Sequence, residues 1–407
     1  MRTVWSSREV VLGVTGSIAA YKACELASRL VEFGAHVTAV LTRSARELVG
    51  AATLEAVTGR RVITELFGPC QSGEIEHIAV AQRAHLFLIA PATANILAKA
   101  AHGLADDWLS TSLLATTAPV LFAPAMNAAM YAHPATQANI RVLRRRGCRF
   151  VGPEEGRLAC GGEGPGRMSD PATLLDAALP LVSAQKDMAG KRVVITSGGS
   201  REPLDPVRFL GNRSSGRMGR ALACAALARG ASVAVVGGPA EVALPYGAEV
   251  IAVETAREMA EAAIPLARQA DIVIGAAAVA DYRVDAPAPD KHKRDGKPRT
   301  VTLIENEDII AQIGAAKRDG QVIVGFAAET QDVLENAADK LKRKNLDLIV
   351  ANEVGAPDSG FGTETLKAAF VDTRGAGEEL PLLTKEELAW RLFNRIREFL
   401  EKAEAVE

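Results

Sequence analysis

Residues 10–26, VVLGVTGSIAAYKACEL, constrain the fold of this chain more than any other stretch: a β-branched run, two glycines, then small residues at helical spacing. A strand that ends at Gly13-Val14-Thr15-Gly16-Ser17 and turns straight into a helix opens a parallel-sheet unit, because parallel strands need helical crossovers. Free backbone N–H groups and the positive end of the helix dipole converge at such a turn. Its default ligand is therefore an anion, with phosphate first, and Gly16 is where backbone approaches it. The spacing is neither G-x-G-x-x-G nor G-x-x-x-x-G-K-[ST], so neither dinucleotide nor Walker chemistry is licensed.

The rhythm continues. Strand-like runs at 10–14, 36–41, 85–90, 119–123 and 148–151 alternate with helical stretches at 18–33, 94–101, 106–115 and 134–146. The pattern lapses around 180–191, which reads as a linker, and restarts with RVVITSGGS at 192–200, which has the shape of EVVLGVTGS at 9–17. Strands near 232–236, 250–253, 271–276, 322–326 and 347–350 follow, with helices near 216–229, 255–269 and 330–343. The predicted fold class is α/β: two consecutive doubly wound parallel-sheet domains, Rossmann- or flavodoxin-like, over 1–189 and 190–407. Residues 285–300, DAPAPDKHKRDGKPRT, are Pro-rich, basic and aperiodic, and read as a mobile flap.

A length of 407 residues agrees with two or three domains. The 47 basic residues are balanced by 49 acidic ones, which argues against a nucleic-acid surface. No apolar run is long enough for a membrane span, and the N-terminus lacks signal-peptide features, so a cytoplasmic location without a membrane partner is expected. The five cysteines contain no C-x-x-C pair, which disfavours a disulfide framework or structural zinc. Cys24 and Cys224 sit among alanines as small core residues. Cys160, in RLACGGEGPGRM, sits in a glycine-rich loop with no apolar face to join.

In open parallel sheets, ligands lie beyond the carboxyl ends of the strands. In the first half those positions are Gly16-Ser17, Thr42-Arg43-Ser44, APATAN at 90–95 and APAMNAAM at 123–130. Hydroxyls, amides and small side chains there suit a phosphomonoester and a large flat ring, as in flavin mononucleotide. Helix capping by Ser17, Ser44 and Thr93 is the alternative, and composition does not choose between them.

GSIAAYK, APATANILAKAAHGLADD, PAMNAAMY and ACGGEGPGRM, in that order, resemble the flavin-dependent cysteine decarboxylases that act on phosphopantothenoylcysteine. SREPLDPVRFLGNRSSGRMGRALA, AAAVADYR, DKHKR, GFAAET and KRKNLDLIVAN resemble the phosphopantothenate–cysteine ligases that bacteria fuse to them. The resemblance covers nearly the whole chain and implies a bifunctional coenzyme A biosynthesis enzyme. Rival readings are a nucleotide-dependent dehydrogenase, for which the first turn lacks the glycine fingerprint, and a flavin-binding regulatory protein. The latter should lack His77, Asn127 or Cys160, and all three are present.

For the first half, the resemblance implies FMN contacted by Gly16, Ser17, Thr42, Ser44, Thr93, Asn95 and Met126. Oxidation at the thiol side of the cysteine creates the electron sink that loss of CO₂ needs. Cys160 then becomes the proton donor on a closing loop, His77 an active-site base or orienting group, and Asn127 the holder of the substrate carboxylate. His36, His85, His102 and His133 have no motif support and default to structural roles. For the second half it implies ligation of cysteine to 4'-phosphopantothenate through an acyl-cytidylate formed from CTP with Mg²⁺, whose ligands stay unassigned. GNRSSGRMG, with Arg213 and Arg217, supplies the phosphate cradle, Asn212 meets the acyl intermediate and Lys291 reaches in from the flap. Ala277, Asp281, Asp308, Phe326, Lys340 and Lys344 contact the nucleotide. IENEDII at 304–310 departs from the family's K-N-P-D-I by placing Glu305 and Glu307 there. The resemblance also implies a homo-oligomer, a dodecamer built from decarboxylase trimers and ligase dimers.

Overall fold

The computed structural model describes residues 1–67, 75–159, 161–291, 293, 296, 298–329, 333–353, 363–373 and 377–404. The chain divides into two compact units, Met1–Ala184 and Gln185–Glu407.

The first unit is built on β1 (Glu9–Val14), β2 (His36–Leu41), β3 (Leu86–Ala92), β4 (Val120–Pro124) and β5 (Arg149–Phe150). They form one parallel sheet in the order β2-β1-β3-β4-β5. Every residue of β3 is buried, as expected of a strand covered on both faces. On one face Val11, Phe87, Ile89 and Phe122 pack with Ile96, Trp108, Leu109 and Ile140 from the crossover helices. The order reverses between β1 and β3, so successive crossovers leave in opposite directions and open a crevice there.

Three details differ from expectation. The helix expected at 18–33 starts as a 3₁₀ turn, Ile18–Tyr21, before α1 (Lys22–Glu32), because Ala20 N bonds to Ser17 O and tightens the first turn. Beyond the short β5, the stretch read as a glycine-rich loop forms an antiparallel hairpin, β6 (Glu154–Arg157) with β7 (Glu163–Arg167). The helix Pro171–Val182 also runs into the stretch read as linker.

The second unit has β8 (Arg192–Ser197), β9 (Ser232–Gly237), β10 (Glu249–Ala252), β11 (Ile272–Gly275), β12 (Val322–Glu329), β13 (Leu348–Glu353), β14 (Ala368–Asp372) and β15 (Gly377–Glu379). The order is β10-β9-β8-β11-β12-β13-β14-β15, parallel as far as β13 and antiparallel at the last two. The reversal falls between β8 and β11. One face is covered by α2 (Arg217–Ala228) and α3 (Lys385–Glu404), with Leu222 and Ala226 in the same core as Leu388, Leu392, Phe393 and Ile396. Arg229, fully buried just past α2, donates from Nε to Asp187 Oδ1 at 2.8 Å and from Nη2 to Asp187 Oδ2 at 2.5 Å. Its Nη1 reaches Asn394 Oδ1 at 2.8 Å, and its guanidinium lies 5.3 Å from the Trp390 ring centre. Among the described residues no helix is long and apolar enough to cross a membrane.

Candidate active sites

In the first unit the ends of β1 and β3 are tied together at the reversal. Thr15, buried, donates through Oγ1 to Pro91 O at 2.8 Å and accepts from Thr93 N at 3.1 Å. Gly16 packs directly on Ser44: an added Cβ would collide with Ser44 Cβ. The glycine is thus required first by the contact with the β2 loop, before any ligand is considered. The capping alternative now separates by residue. Thr93 caps the helix Ala94–His102 by accepting from Ile96 N. Ser17 precedes the 3₁₀ turn and Ser44 lies inside the short helix Arg43–Arg46, and neither hydroxyl caps anything. Both hydroxyls lie near Gly16, and the set Thr15, Ser17, Thr42, Ser44, Thr93 and Asn95 contains no carboxylate. That donor set fits a phosphomonoester.

Met126 is half-buried against the core, and its N–H bonds to Gly166 O at 3.0 Å. Gly166 allows this approach, since a Cβ there would strike Met126 O. The hairpin is thereby anchored beside Asn127, and Gly164 lies against Ala128. Cys160 lies outside the described residues; in the hairpin, Leu158 N bonds to Gly162 O at 2.8 Å. Asn127 caps the helix Ala128–Ala132, its Oδ1 accepting from Ala129 N at 2.8 Å, which fixes the orientation of the amide. His77 is half-buried in the first turn of the helix Glu76–Arg83. His36 and His85 take the structural places expected: His36 Nδ1 meets Glu9 Oε1 at 3.0 Å, and Glu9 N donates to His85 Nδ1.

The second unit holds a cavity of about 480 Å³ at its own reversal, between the carboxyl ends of β8 and β11. Its wall joins Asn212, Ala277, Asp281, Asp308, Phe326, Lys340 and Lys344, residues spread over more than a hundred positions of sequence. Lys291 is exposed and outside this lining. Ser214, Ser215 and Gly216 lead into α2, with Gly216 in the left-handed region at φ 74°. Asn212 Nδ2 donates to Val279 O at 2.8 Å. Asp308 caps the helix Ile309–Ala315 and also pairs with Lys344 Nζ at 2.9 Å. Lys344 follows the helix Val333–Arg343 rather than sitting within it, but its N–H still bonds to Lys340 O at 3.0 Å, so the two lysines stay one turn apart. Glu305 and Glu307 line the cavity as well, while Asn306 Nδ2 ties that loop to Ala280 O.

Among the described residues no three acidic, imidazole or thiol groups converge on a metal position. The carboxylates fit a Mg²⁺ that arrives on phosphate oxygens, since that ion is commonly held by one or two carboxylates and its phosphate ligand. Among the wall residues that escape sequence reading is Lys385, the first residue of α3, far along the chain from the other motifs.

Residues 2–183 match the family described as Flavoprotein, and residues 188–400 match the DNA/pantothenate metabolism flavoprotein C-terminal domain. The chain is 44% identical over 394 residues to the coenzyme A biosynthesis bifunctional protein CoaBC of Bacillus subtilis (strain 168), covering 96% of this chain and 97% of that one. It is 43% identical to the protein of the same name from Escherichia coli (strain K12), with the same two coverages. Among solved structures, the C-terminal domain of a coenzyme A biosynthesis bifunctional protein CoaBC is 38% identical over 54% of this chain and 100% of that one, with a TM-score of 0.46. An FMN-dependent cysteine decarboxylase, SpaF, is 36% identical over 43% and 99%, with a TM-score of 0.37. Two doubly wound sheets, each with a crevice at its strand reversal, the first in a flavoprotein domain, define a two-domain flavoprotein enzyme. The chain belongs to the family of coenzyme A biosynthesis bifunctional proteins, and it is a phosphopantothenoylcysteine decarboxylase and phosphopantothenate–cysteine ligase. The dehydrogenase and regulatory readings fall away.

Proposed function

We propose that the second-unit cavity activates 4'-phosphopantothenate with CTP and passes its acyl group to cysteine, and that the first-unit crevice then decarboxylates the product with FMN. The observation that carries this reading is the convergence of seven residues, expected from separate motifs, on one cavity wall. In that cavity Lys340 and Lys344 offset triphosphate charge, and the Ser214–Gly216 turn offers hydroxyl and amide donors. Asn212 orients the acyl group. Lys291 acts from the flap, and Asp281, Ala277 and Phe326 seat the nucleotide. Mg²⁺ accompanies the triphosphate.

In the first unit, Ser17, Ser44, Thr42, Thr93 and the Gly16 backbone would hold the FMN phosphate, with Asn95 and Met126 farther along the flavin. When bound, the flavin supplies a two-electron acceptor beside the substrate thiol and later returns the electrons. The protein's part is positional and acid–base. Asn127 donates from its amide to the substrate carboxylate, His77 takes or orients the thiol proton, and Cys160 delivers the proton to carbon at the end.

Mixing the purified protein with 4'-phosphopantothenate, cysteine and CTP tests both halves. Pyrophosphate and CO₂ should form in equal amounts, and Cys160→Ser should release pyrophosphate while leaving reduced flavin and no 4'-phosphopantetheine. Normal turnover by that variant would remove Cys160 from the mechanism. The homo-oligomeric state implied by the resemblance is read directly by mass photometry, where a monomer would overturn it.

A further inference from the structure

Lys385 combines features that folding alone disfavours. It is the first residue of a twenty-residue helix, where the macrodipole opposes a cation. It is only 9% exposed. Among the described residues its ammonium has no hydrogen-bond or ion-pair partner, its bonded contact being the backbone one from Lys385 N to Glu364 O at 3.0 Å. The stem is buried while the ammonium is left open to the cavity with no protein partner among the described residues, an arrangement concentrated where a ligand completes it. Lys385 lines the ligase cavity.

A second cation shares this corner and shows the same pattern. Arg217 is the first residue of α2, it lines the cavity, and its Nε is buried without a hydrogen-bond partner among the described residues. Its ion pair among the described residues, Nη1 to Glu364 Oε1 at 3.4 Å, is long, and the Glu364 side chain is 86% exposed. A pair so exposed is weak and screened. Burial first, and then the charge of Arg217, hold the Lys385 ammonium below the usual lysine range, while Glu241 and Glu364 pull it back up. These are the charged groups that face it.

We propose that Lys385 joins Arg217, already expected in the phosphate cradle, to form a phosphate-binding corner of the ligase cavity, in which an ammonium and a guanidinium take the oxygens of a substrate phosphate. The inference rests on the ligase reading of this cavity. Two helix N-termini, a compact ammonium and a donor fork make a site for a multiply charged oxyanion rather than for a ribose or an amine. The cavity's reactants carry two such groups, the phosphate chain of CTP and the monoester of 4'-phosphopantothenate. Lys385 is a binding and positioning residue, with no proton transfer assigned to it.

Calorimetry on the flavin-loaded full chain, titrated separately with CTP, 4'-phosphopantothenate and unphosphorylated pantothenate, tests this. Lys385→Gln should weaken one or both phosphorylated ligands by about tenfold, or about 1.4 kcal/mol, and leave pantothenate unchanged. Loss confined to CTP assigns the corner to the triphosphate; loss confined to 4'-phosphopantothenate assigns it to the monoester. Lys385→Arg should restore most of the affinity. Lys385→Met should leave the melting temperature of the ligand-free protein level or higher, because it removes a partly desolvated charge that no protein group pairs. Unchanged affinities for both phosphorylated ligands would overturn the proposal, as would a fall in melting temperature with affinities intact. Failure of the wild-type protein to release pyrophosphate would instead overturn the ligase reading, which the binding titrations do not use.

Discussion

Lys344 Nζ lies 2.9 Å from Asp308 Oδ2, and Asp308 Oδ1 accepts from Ala311 N at 3.0 Å to cap the helix behind it. One carboxylate therefore holds a cavity lysine and a helix end together. The two jobs are separable by chemistry, because asparagine caps as well as aspartate but carries no charge.

Asp308→Ala should cost about 1 kcal/mol through the lost cap, lowering the melting temperature of the ligase unit by roughly 2–4 °C. Asp308→Asn should leave it nearly unchanged. Lys344→Gln should also melt normally, since a half-exposed pair contributes under about 1 kcal/mol, yet raise KM for CTP about tenfold. Calorimetric melting beside pyrophosphate-release kinetics checks all three. A normal KM for Lys344→Gln would remove that lysine from the nucleotide site.

Gly16 and Ser44 make a second pair whose contact can be tested by compensation. Any side chain at 16 meets Ser44 Cβ, so Gly16→Ala should purify with depleted flavin absorbance while ligating normally, and Gly16→Asp should be colourless. Adding Ser44→Gly to Gly16→Ala reopens the space and should recover part of the flavin. Full flavin in Gly16→Asp would place the cofactor phosphate elsewhere.

Asn127→Asp retains a side chain able to accept from Ala129 N, so the helix end and the flavin should survive. The new carboxylate faces the substrate's own, and decarboxylation should fall below detection through like-charge repulsion. Comparable turnover, followed as CO₂ release, would show that the substrate carboxylate binds at another residue.

Asp187 bears on stability rather than chemistry. Burial raises its pKa, but hydrogen bonds and charge from Arg229 prevail and hold the carboxyl below its ordinary range. A depressed folded pKa means that the stabilisation is present above the unfolded value, near 3.9, and is lost as pH falls through the folded one. The melting temperature of Asp187→Asn should therefore lie below wild type at pH 7, with the gap closing below about pH 4. Arg229→Ala, which leaves Asp187 with only Gln185 and a long Arg397 contact and empties the space under Trp390, should cost about 3 kcal/mol. A gap independent of pH would show that Asp187 acts by packing alone.

The parallel sheets and both crevices are legible in the sequence because each depends on a local device, an apolar run ending in glycine and small hydroxylated residues. The cavity wall from Asn212 to Lys344 is legible because its motifs are long. Lys385 is not, because LTKEELAW reads as an ordinary capped helix start and nothing local reports a cavity. The hairpin of β6 and β7 escapes for a different reason. Its glycines and proline give no alternating apolar pattern, and its pairing is held by backbone and by the approach of Gly166 to Met126.

The seam at 184–185 carries a consequence for how the enzyme is made. Every strand of the first sheet lies between residues 9 and 150, and none is borrowed from beyond the seam. During synthesis the first sheet is complete before any strand of the second has left the ribosome, and domains of this kind fold as units as they emerge. The decarboxylase half can thus mature while the ligase half is still being translated, the reverse of the order in which the substrate will meet them.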